Sequence, residues 1–331
     1  MKTIHKITDQ IYFQIKNFEG YGIYHTKEWH TFLEKVYGWK VRAVVSYDHK
    51  GELELFLPFV TKKRLGKEIS ISLPLSHFIP VLSKNGSEDI KKEQFPTKVE
   101  LHTKISNWDY AQRHVLSIRE IPKGMDEDEL FASLQKSSIQ RKIKQARNKG
   151  VKINSSFEYS EIENMYRMHV QTRKHQGSPM YPRNYFHELL RIFEESNYIV
   201  PFIAYKGGKP QAVVIFAYCN GTATYMYGAS FTHDYGVNQF AMWEGFKEAL
   251  RRNCTRIDMG SSPLYNIGLR NYKKKWGAHE LPLIYSYSST NLQKNIPNRT
   301  GFIAKAVGTL FKVIPTPLYA SYSPIILKCL V

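Results

Sequence analysis

One local pattern occurs twice in this 331-residue chain and constrains its fold more than any other feature. From Trp29, WHTFLEKVYGWKVRAVVSYDHKGELELFLPFV reads as a short amphipathic helix, a strand (Val41 to Tyr47), a polar turn at Gly51 and a second strand (Leu53 to Val60). From Tyr185, YFHELLRIFEESNYIVPFIAYKGGKPQAVVIFAY repeats that order. Leu189, Leu190 and Phe193 lie on one side of its helix, and strands over Ile199 to Tyr205 and Gln211 to Tyr218 flank a Gly207-Gly208 turn. The shared helix length and turn position favour two related domains over chance recurrence of a helix and a meander. The length agrees, although one large α/β domain is the other arrangement that 331 residues allow.

Between the copies, Met125 to Lys152 starts acidic and ends basic, as a helix matched to its own dipole does, and stops at Gly150. It is expected to link the domains. After the second hairpin, Thr222 to Ser230 reads as a strand, Asn238 caps a helix through Arg252, and Thr255 to Met259 is another short strand. Strand, helix, strand implies a parallel crossover, the one place in a mostly antiparallel pattern where a sheet splays open to a ligand.

Charge narrows the partners. Lys and Arg number 47 against 29 Asp and Glu, a net +18 that favours polyanions: nucleic acid, anionic lipid or phosphorylated small molecules. Hydrophobic residues at 42% exclude a disordered chain. Cys219, Cys254 and Cys329 form no CxxC pair, so neither a disulfide framework nor a thiolate zinc site is indicated. The start, MKTIHKITDQIYFQIKNFEG, lacks the apolar core of a signal peptide, and no uncharged apolar stretch reaches the roughly 18 residues of a spanning helix. A cytoplasmic protein is expected. Nucleophile-elbow, Walker, dinucleotide and zincin motifs are missing, which removes the strongest support for hydrolase, NTPase, dehydrogenase and zincin activities.

Four segments can carry chemistry. Asp258 ends a strand before Gly260, Ser261 and Ser262, where a carboxylate either closes its own turn or reaches a cleft. The run RNYKKKWG, Arg270 to Gly277, interleaves cations with Tyr272 and Trp276; burying the aromatics would hold the lysines in place, whereas most charge runs are solvated faces. MHVQTRKHQGSPMYP, Met168 to Pro182, sets His169, Arg173 and His175 around a helix end; the histidines are six apart, off one helical face, and suit a recognition loop better than a metal. Lys136, Arg141, Lys142, Lys144, Arg147, Lys149 and Lys152 form a second cluster without an acid, either a solvated helix face or a polyanion contact.

Together these segments resemble the Fem-type peptidyltransferases (FemABX-like) of the GNAT acyltransferase superfamily. The matching stretches are QRKIKQARNKGVKI, HVQTRKHQGSPMYPRNYF, YMYGAS followed by VNQFAMWEGFKEAL, and RIDMGSS followed by GLRNYKKKWG, in order from residue 140 to 277. Trp29 to Pro74 looks like the family's degenerate first domain, and the proline-punctuated apolar tail is similar to that of FemAB-like proteins of exopolysaccharide and protein-sorting loci. The resemblance implies an α/β (mixed α+β) chain of two tandem GNAT-like domains, each a mixed, mostly antiparallel sheet flanked by helices. The degenerate domain spans 1–135, the acyltransferase domain 136–290, and an amphipathic tail 291–331 packs on domain one or on the membrane surface.

It also implies an enzyme that moves an acyl or aminoacyl group from an activated donor to an amine of a cell-envelope precursor, in peptidoglycan or exopolysaccharide biogenesis. The segment SFTHDYGVN lacks the glycine-rich cradle for coenzyme A, so aminoacyl-tRNA is favoured over acyl-CoA as co-substrate, and no permanently bound cofactor, metal or DNA is expected. Lys273, which follows Tyr272 where the family has a Phe-Lys pair, takes the oxyanion or donor phosphate. Asp258 or Tyr227 takes the amine proton. His169, Arg173 and Tyr181 are assigned to the acceptor, and Gly236, Asn238, Arg270, Lys274 and Lys275 to the donor. The alternative is a non-catalytic tRNA-, lipid- or glycan-binding protein on the same scaffold.

In the tail, Phe302, Ile303, Ala306, Val307, Leu310, Phe311 and Ile314 recur at helical spacing, with Arg299, Lys305 and Lys312 beside them. Packing onto the first domain and peripheral docking on anionic lipid at the inner face of the membrane both fit this pattern.

Overall fold

The computed structural model describes residues 2–4, 6–64, 66–84, 90–155, 159–232, 234–290 and 301–330. In chain order the elements are β1 (Lys2–Ile4), α1 (Asp9–Ile15), α2 (Lys27–Tyr37), β2 (Val41–Tyr47), β3 (Leu53–Arg64), β4 (Lys67–Ile71), β5 (Leu82–Ser83), β6 (Val99–Leu101) and β7 (Asp109–Glu120). There follow α3 (Glu127–Ala132), α4 (Arg141–Asn148), β8 (Lys152–Asn154), α5 (Tyr159–His175), α6 (Asn184–Phe193), β9 (Ile199–Lys206), β10 (Lys209–Cys219) and β11 (Thr222–Ser230). The chain continues with α7 (Val237–Arg251), β12 (Arg256–Pro263), α8 (Ile267–Lys274), β13 (His279–Tyr287), α9 (Phe302–Val313) and α10 (Thr316–Leu330). Two compact units result: residues 1–114, 282–298 and 326–331 form one, and 115–281 with 299–325 form the other.

Both units carry a mixed, mostly antiparallel sheet. In the first, β1, β2, β3 and β4 pair antiparallel, and β4 pairs parallel with β6 through Ser70 opposite Val99 and Ile71 opposite Glu100. In the second, β8, β9, β10 and β11 pair antiparallel, and β11 pairs parallel with β12. Each order is therefore helix, antiparallel meander, parallel partner. The units differ in the crossover. From β11 to β12 the chain builds the 15-residue helix α7, whereas between β4 and β6 the described residues hold only the short β5 and a 3-10 turn at Lys92–Gln94. Among the described residues, no helix between β4 and β6 aims its N-terminus at the parallel pair of the first unit.

Local chemistry explains the boundaries. Thr26 caps α2 by accepting the Trp29 N–H at 3.1 Å, and Gly38 ends it in a left-handed conformation, φ 73°. One face of α2 buries Trp29, Phe32, Leu33 and Tyr37. In the second unit α7 lies against the sheet through Phe240, Trp243 and Phe246, and it approaches β10 closely at Gly245, where a methyl group would overlap the Phe216 ring.

Three expectations change. The segment Met125 to Lys152 is broken into α3, a π-helical turn at Lys136–Gln140 and α4, and all of it belongs to the second unit. Gly236, not Asn238, occupies the cap position of α7; Asn238 is in the helix's first turn. Of the tail, α9 and α10 up to Ile325 belong to the second unit, while Arg299 lies outside the described residues.

Among the described residues of the first unit, Arg64 donates to Glu100 at 2.8 Å in an ion pair with both side chains nearly inaccessible, and His102 Nε2 lies 3.5 Å from the other carboxylate oxygen. Burial alone would raise the Glu100 carboxyl, but the hydrogen bond from His102 and the guanidinium outweigh it and hold it at about 2. The native carboxylate thus contributes stability above its ordinary value of 4.5, lost as pH falls through about 2. Glu100→Gln is expected to cost about 3–5 kcal/mol in urea denaturation at neutral pH, because it strands the buried Arg64, and to flatten the acid limb of the stability profile.

Candidate functional site

The parallel pair β11 and β12 is short. It joins Thr222 to Arg256, Ala223 to Ile257 and Thr224 to Asp258, and no further. Beyond Thr224 the β11 register against β10 slips between Ile215 and Phe216, which leaves Met226 as a bulge and increases the local twist. Beyond Asp258, β12 turns at Gly260 (φ +76°), whose N–H donates to Asp258 Oδ1 at 2.7 Å. The strands part, and α7 begins beside the opening after consecutive left-handed residues, Tyr235 (φ 57°) and Gly236 (φ 72°). The first N–H groups of α7 receive no side-chain cap, so this end keeps its positive partial charge for an anion.

On the β11 wall, His169 from α5 is completely buried. The Tyr181 N–H donates to its Nε2 at 2.8 Å, and Nδ1 is 2.8 Å from Tyr227 Oη. A backbone amide can only donate, so Nε2 is the accepting nitrogen and the ring proton resides on Nδ1, donated to Tyr227. Burial, with Arg173 nearby, pushes the His169 pKa well down and keeps the ring neutral. Burial likewise raises Tyr227 well above the ordinary phenol value. Tyr227 therefore accepts from His169 and retains its own O–H for a third group. Tyr181 stacks on His169 at 4.8 Å and on Tyr185 at 4.1 Å, and the Arg173 guanidinium lies 5.4 Å from the Tyr181 ring centre. His175 is exposed at the end of α5, away from this group.

On the β12 wall, Lys273 from α8 is 5% exposed and donates to Gly260 O at 2.8 Å and Ser261 O at 3.0 Å. Its ammonium braces the β12 turn. Burial lowers its pKa to about 8 against the pull of Asp258 and Glu280. Two buried polar atoms here, Asn238 Oδ1 and Ser262 Oγ, have no hydrogen-bond partner among the described residues, as is also true of several buried atoms elsewhere, such as Trp29 Nε1 and Ser117 Oγ.

The structure thus gathers His169, Arg173, Tyr181 and Tyr227 into one cluster and Asp258 with Lys273 into another, and it sets Gly236 and Asn238 at the start of α7. Of the remaining donor candidates, Arg270 and Lys274 are engaged elsewhere. Arg270 makes a two-pronged pair with Glu280, 2.8 Å on each arm, Lys274 joins the same carboxylate at 3.2 Å, and Lys275 is exposed. The sequence reading missed Tyr185 and Phe186 of the aromatic cluster, although the spacing of Tyr181 and Tyr185 was available as a signal. Nothing in the sequence marked the π-helical turn at Lys136–Gln140. With α4, that turn lines a shallow groove of about 700 Å³ formed by Lys136, Gln140, Arg141, Lys144, Gln145, Asn148 and Lys149. The groove adjoins α7 through the backbone at Lys142, which would overlap any side chain at Gly236.

Lys273→Met is expected to destabilise the protein by about 1–3 kcal/mol for each carbonyl left without a donor. The pH dependence has a definite sign. A lysine held near 8, below its ordinary 10.5, penalises the fold while charged, so native stability rises as pH climbs from 8 to 10.5. Thermal melts across that window should show a steeper rise for the native chain than for the variant.

Residues 133–274 match the family model of the acetyltransferase (GNAT) domain. No curated protein sequence matches the chain. Among solved structures, FemX aligns with a TM-score of 0.66 at 14% identity over 88% of this chain and 98% of its own. A conserved protein of unknown function from Bacteroides thetaiotaomicron aligns with a TM-score of 0.54 at 12% identity over 84% of this chain and 95% of its own. L-PGS from Bacillus licheniformis aligns with a TM-score of 0.51 at 10% identity over 82% of this chain and 89% of its own. At such identities the likeness establishes the fold. Residues 133–274, in the second unit, are therefore similar to the acetyltransferase (GNAT) domain, and the chain has the fold of FemX.

Proposed function

We propose that this protein transfers an acyl or aminoacyl group from an activated donor, aminoacyl-tRNA ahead of acyl-CoA, to an amine of a cell-envelope precursor. The observation that carries this reading is the end of the β11–β12 pairing at Thr224 and Asp258 together with the uncapped start of α7; the buried His169–Tyr227 pair lies three residues further along β11. An anionic donor suits the start of α7 and the basic groove next to it. The groove's open shape and the missing glycine cradle favour a nucleic-acid donor.

The reaction needs alignment, oxyanion stabilisation and proton transfers. A neutral amine attacks the donor carbonyl, the carbonyl oxygen takes up negative charge, and the leaving oxygen or sulfur must gain a proton as its bond to carbon breaks. A phenol with a raised pKa is a poor base near neutral pH, so Tyr227 is assigned to donate its proton toward the leaving group or to hydrogen-bond the oxyanion. Asp258, whose Oδ1 also holds the Gly260 turn, is assigned to the amine proton. His169 positions Tyr227. Arg173 and Tyr181 flank the acceptor. Lys273 acts by holding the Gly260 and Ser261 carbonyls, and through them the β12 wall.

The test supplies purified protein with radiolabelled aminoacyl-tRNA or acetyl-CoA and an amine-bearing muropeptide precursor or amino sugar. Label is expected on the amine, with aminoacyl-tRNA consumed in preference; if neither donor is bound or consumed, the reading fails. Tyr227→Phe keeps the ring against Phe186 but removes the hydroxyl. It is expected to lower kcat about 10²–10³-fold, by analogy with the loss of an oxyanion donor, with a smaller change in KM.

A further inference from the structure

The second unit ends in two helices that share one design. In α9, Ala306, Leu310 and Val313 follow at intervals of four and three residues and are exposed, while Phe311 is buried on the far side. In α10, Leu318, Tyr322 and Ile325 follow at the same intervals and are exposed, while Tyr319 and Ser323 are buried. The five large side chains of these stripes are between 51% and 71% exposed. They fall within sixteen consecutive residues, a concentration of apolar surface unlike the scattered exposed side chains of an ordinary surface.

The inward faces are firmly attached. Phe311 and Tyr319 meet edge to face at 5.4 Å, so the helices pack on each other. Tyr319 Oη donates to Ser178 O at 2.5 Å, Ser323 Oγ accepts the Met180 N–H at 2.8 Å, and Lys174 Nζ donates to Lys312 O at 3.1 Å. Gly177 approaches Gly308 so closely that a side chain at 177 would overlap the Gly308 carbonyl. The outward stripes are therefore not a hydrophobic face waiting for its own core, because that core contact is already made on the opposite side of each helix.

Charge identifies the occupant. From Leu281 to Val331 the sequence contains no Asp or Glu, whereas Lys305 and Lys312, seven residues apart, lie along one flank of the α9 stripe and are exposed. An apolar stripe bordered by cations and free of acids is complementary to an anionic lipid surface: aliphatic side chains enter the headgroup boundary, Tyr322 suits its polar edge, and the lysines meet phosphates. Among the described residues no helix is long and apolar enough to cross a membrane, so the helices lie on the surface.

We propose that α9 and α10 are an interfacial dock that seats the protein on anionic bilayers. The dock is bonded to the 177–181 loop through Ser178 and Met180, and Tyr181 of that loop touches His169. Docking thus brings the acceptor side of the site close to the lipid plane. That last consequence rests on the transferase reading; the docking itself does not.

The test is co-sedimentation of the full chain with sucrose-loaded vesicles of phosphatidylcholine alone or of phosphatidylcholine with phosphatidylglycerol. Binding is expected only to the phosphatidylglycerol vesicles at low salt. Lys305→Gln with Lys312→Gln is expected to weaken it about 25-fold, since each lysine near an anionic surface is worth about fivefold. Leu310→Asp with Val313→Asp is expected to abolish it while circular dichroism and melting temperature are kept, because both side chains point away from the packed faces. The proposal is overturned if the native chain stays in the supernatant or if the aspartate variant binds as well as the native chain. A dimer in light scattering that the aspartate variant splits also overturns it, since the stripe would then join two copies.

Discussion

A completely buried imidazole must find a partner for each nitrogen, and in this protein the way His169 does so ties together most of what lies around the site. One nitrogen accepts from the loop after α5, and the other donates to Tyr227 on β11. The loop so fixed is the one that α9 and α10 grip through Ser178 and Met180. Strand, helix, loop and tail are thus connected by groups that cannot change partners without stranding a polar atom in the interior, a cost of about 1–3 kcal/mol each.

The opposite wall is held by a different device. A turn at Gly260 directs two carbonyls at Lys273, and Asp258 accepts the Gly260 N–H. An ammonium buried this way loses hydration and regains it only in part from carbonyls, which is why its pKa falls. The short parallel pairing of β11 and β12 ends where these two devices begin.

Much of the second unit was legible in the sequence. The strand Thr222–Ser230 falls where the sequence placed it, and the helix expected from Asn238 to Arg252 is observed over Val237–Arg251. These elements have strong, uninterrupted patterns on one face. Met125 to Lys152 was harder, because its charge gradient describes a helix whether or not it is broken, and the break falls between α3 and the π-helical turn, where Leu134 is buried in the core. The cap of α7 was misplaced for a similar reason: Asn238 has the side chain of a cap, but the close approach of the Lys142 backbone requires glycine at 236.

By itself, the sequence determined the repeated helix and hairpin, the parallel crossover of the second unit and the excess of basic residues. These depend on periodicity and residue type over short stretches, which the chain carries locally. The tertiary structure decided what those residues do. It showed that Arg270 and Lys274 are bound to Glu280, that Lys273 faces carbonyls, and that His169 and Tyr227, 58 positions apart, share a proton in one hydrogen bond. It also decided which side of each tail helix is covered. Partner choice and burial arise only when distant segments compete for the same space, and no local pattern records the result of that competition.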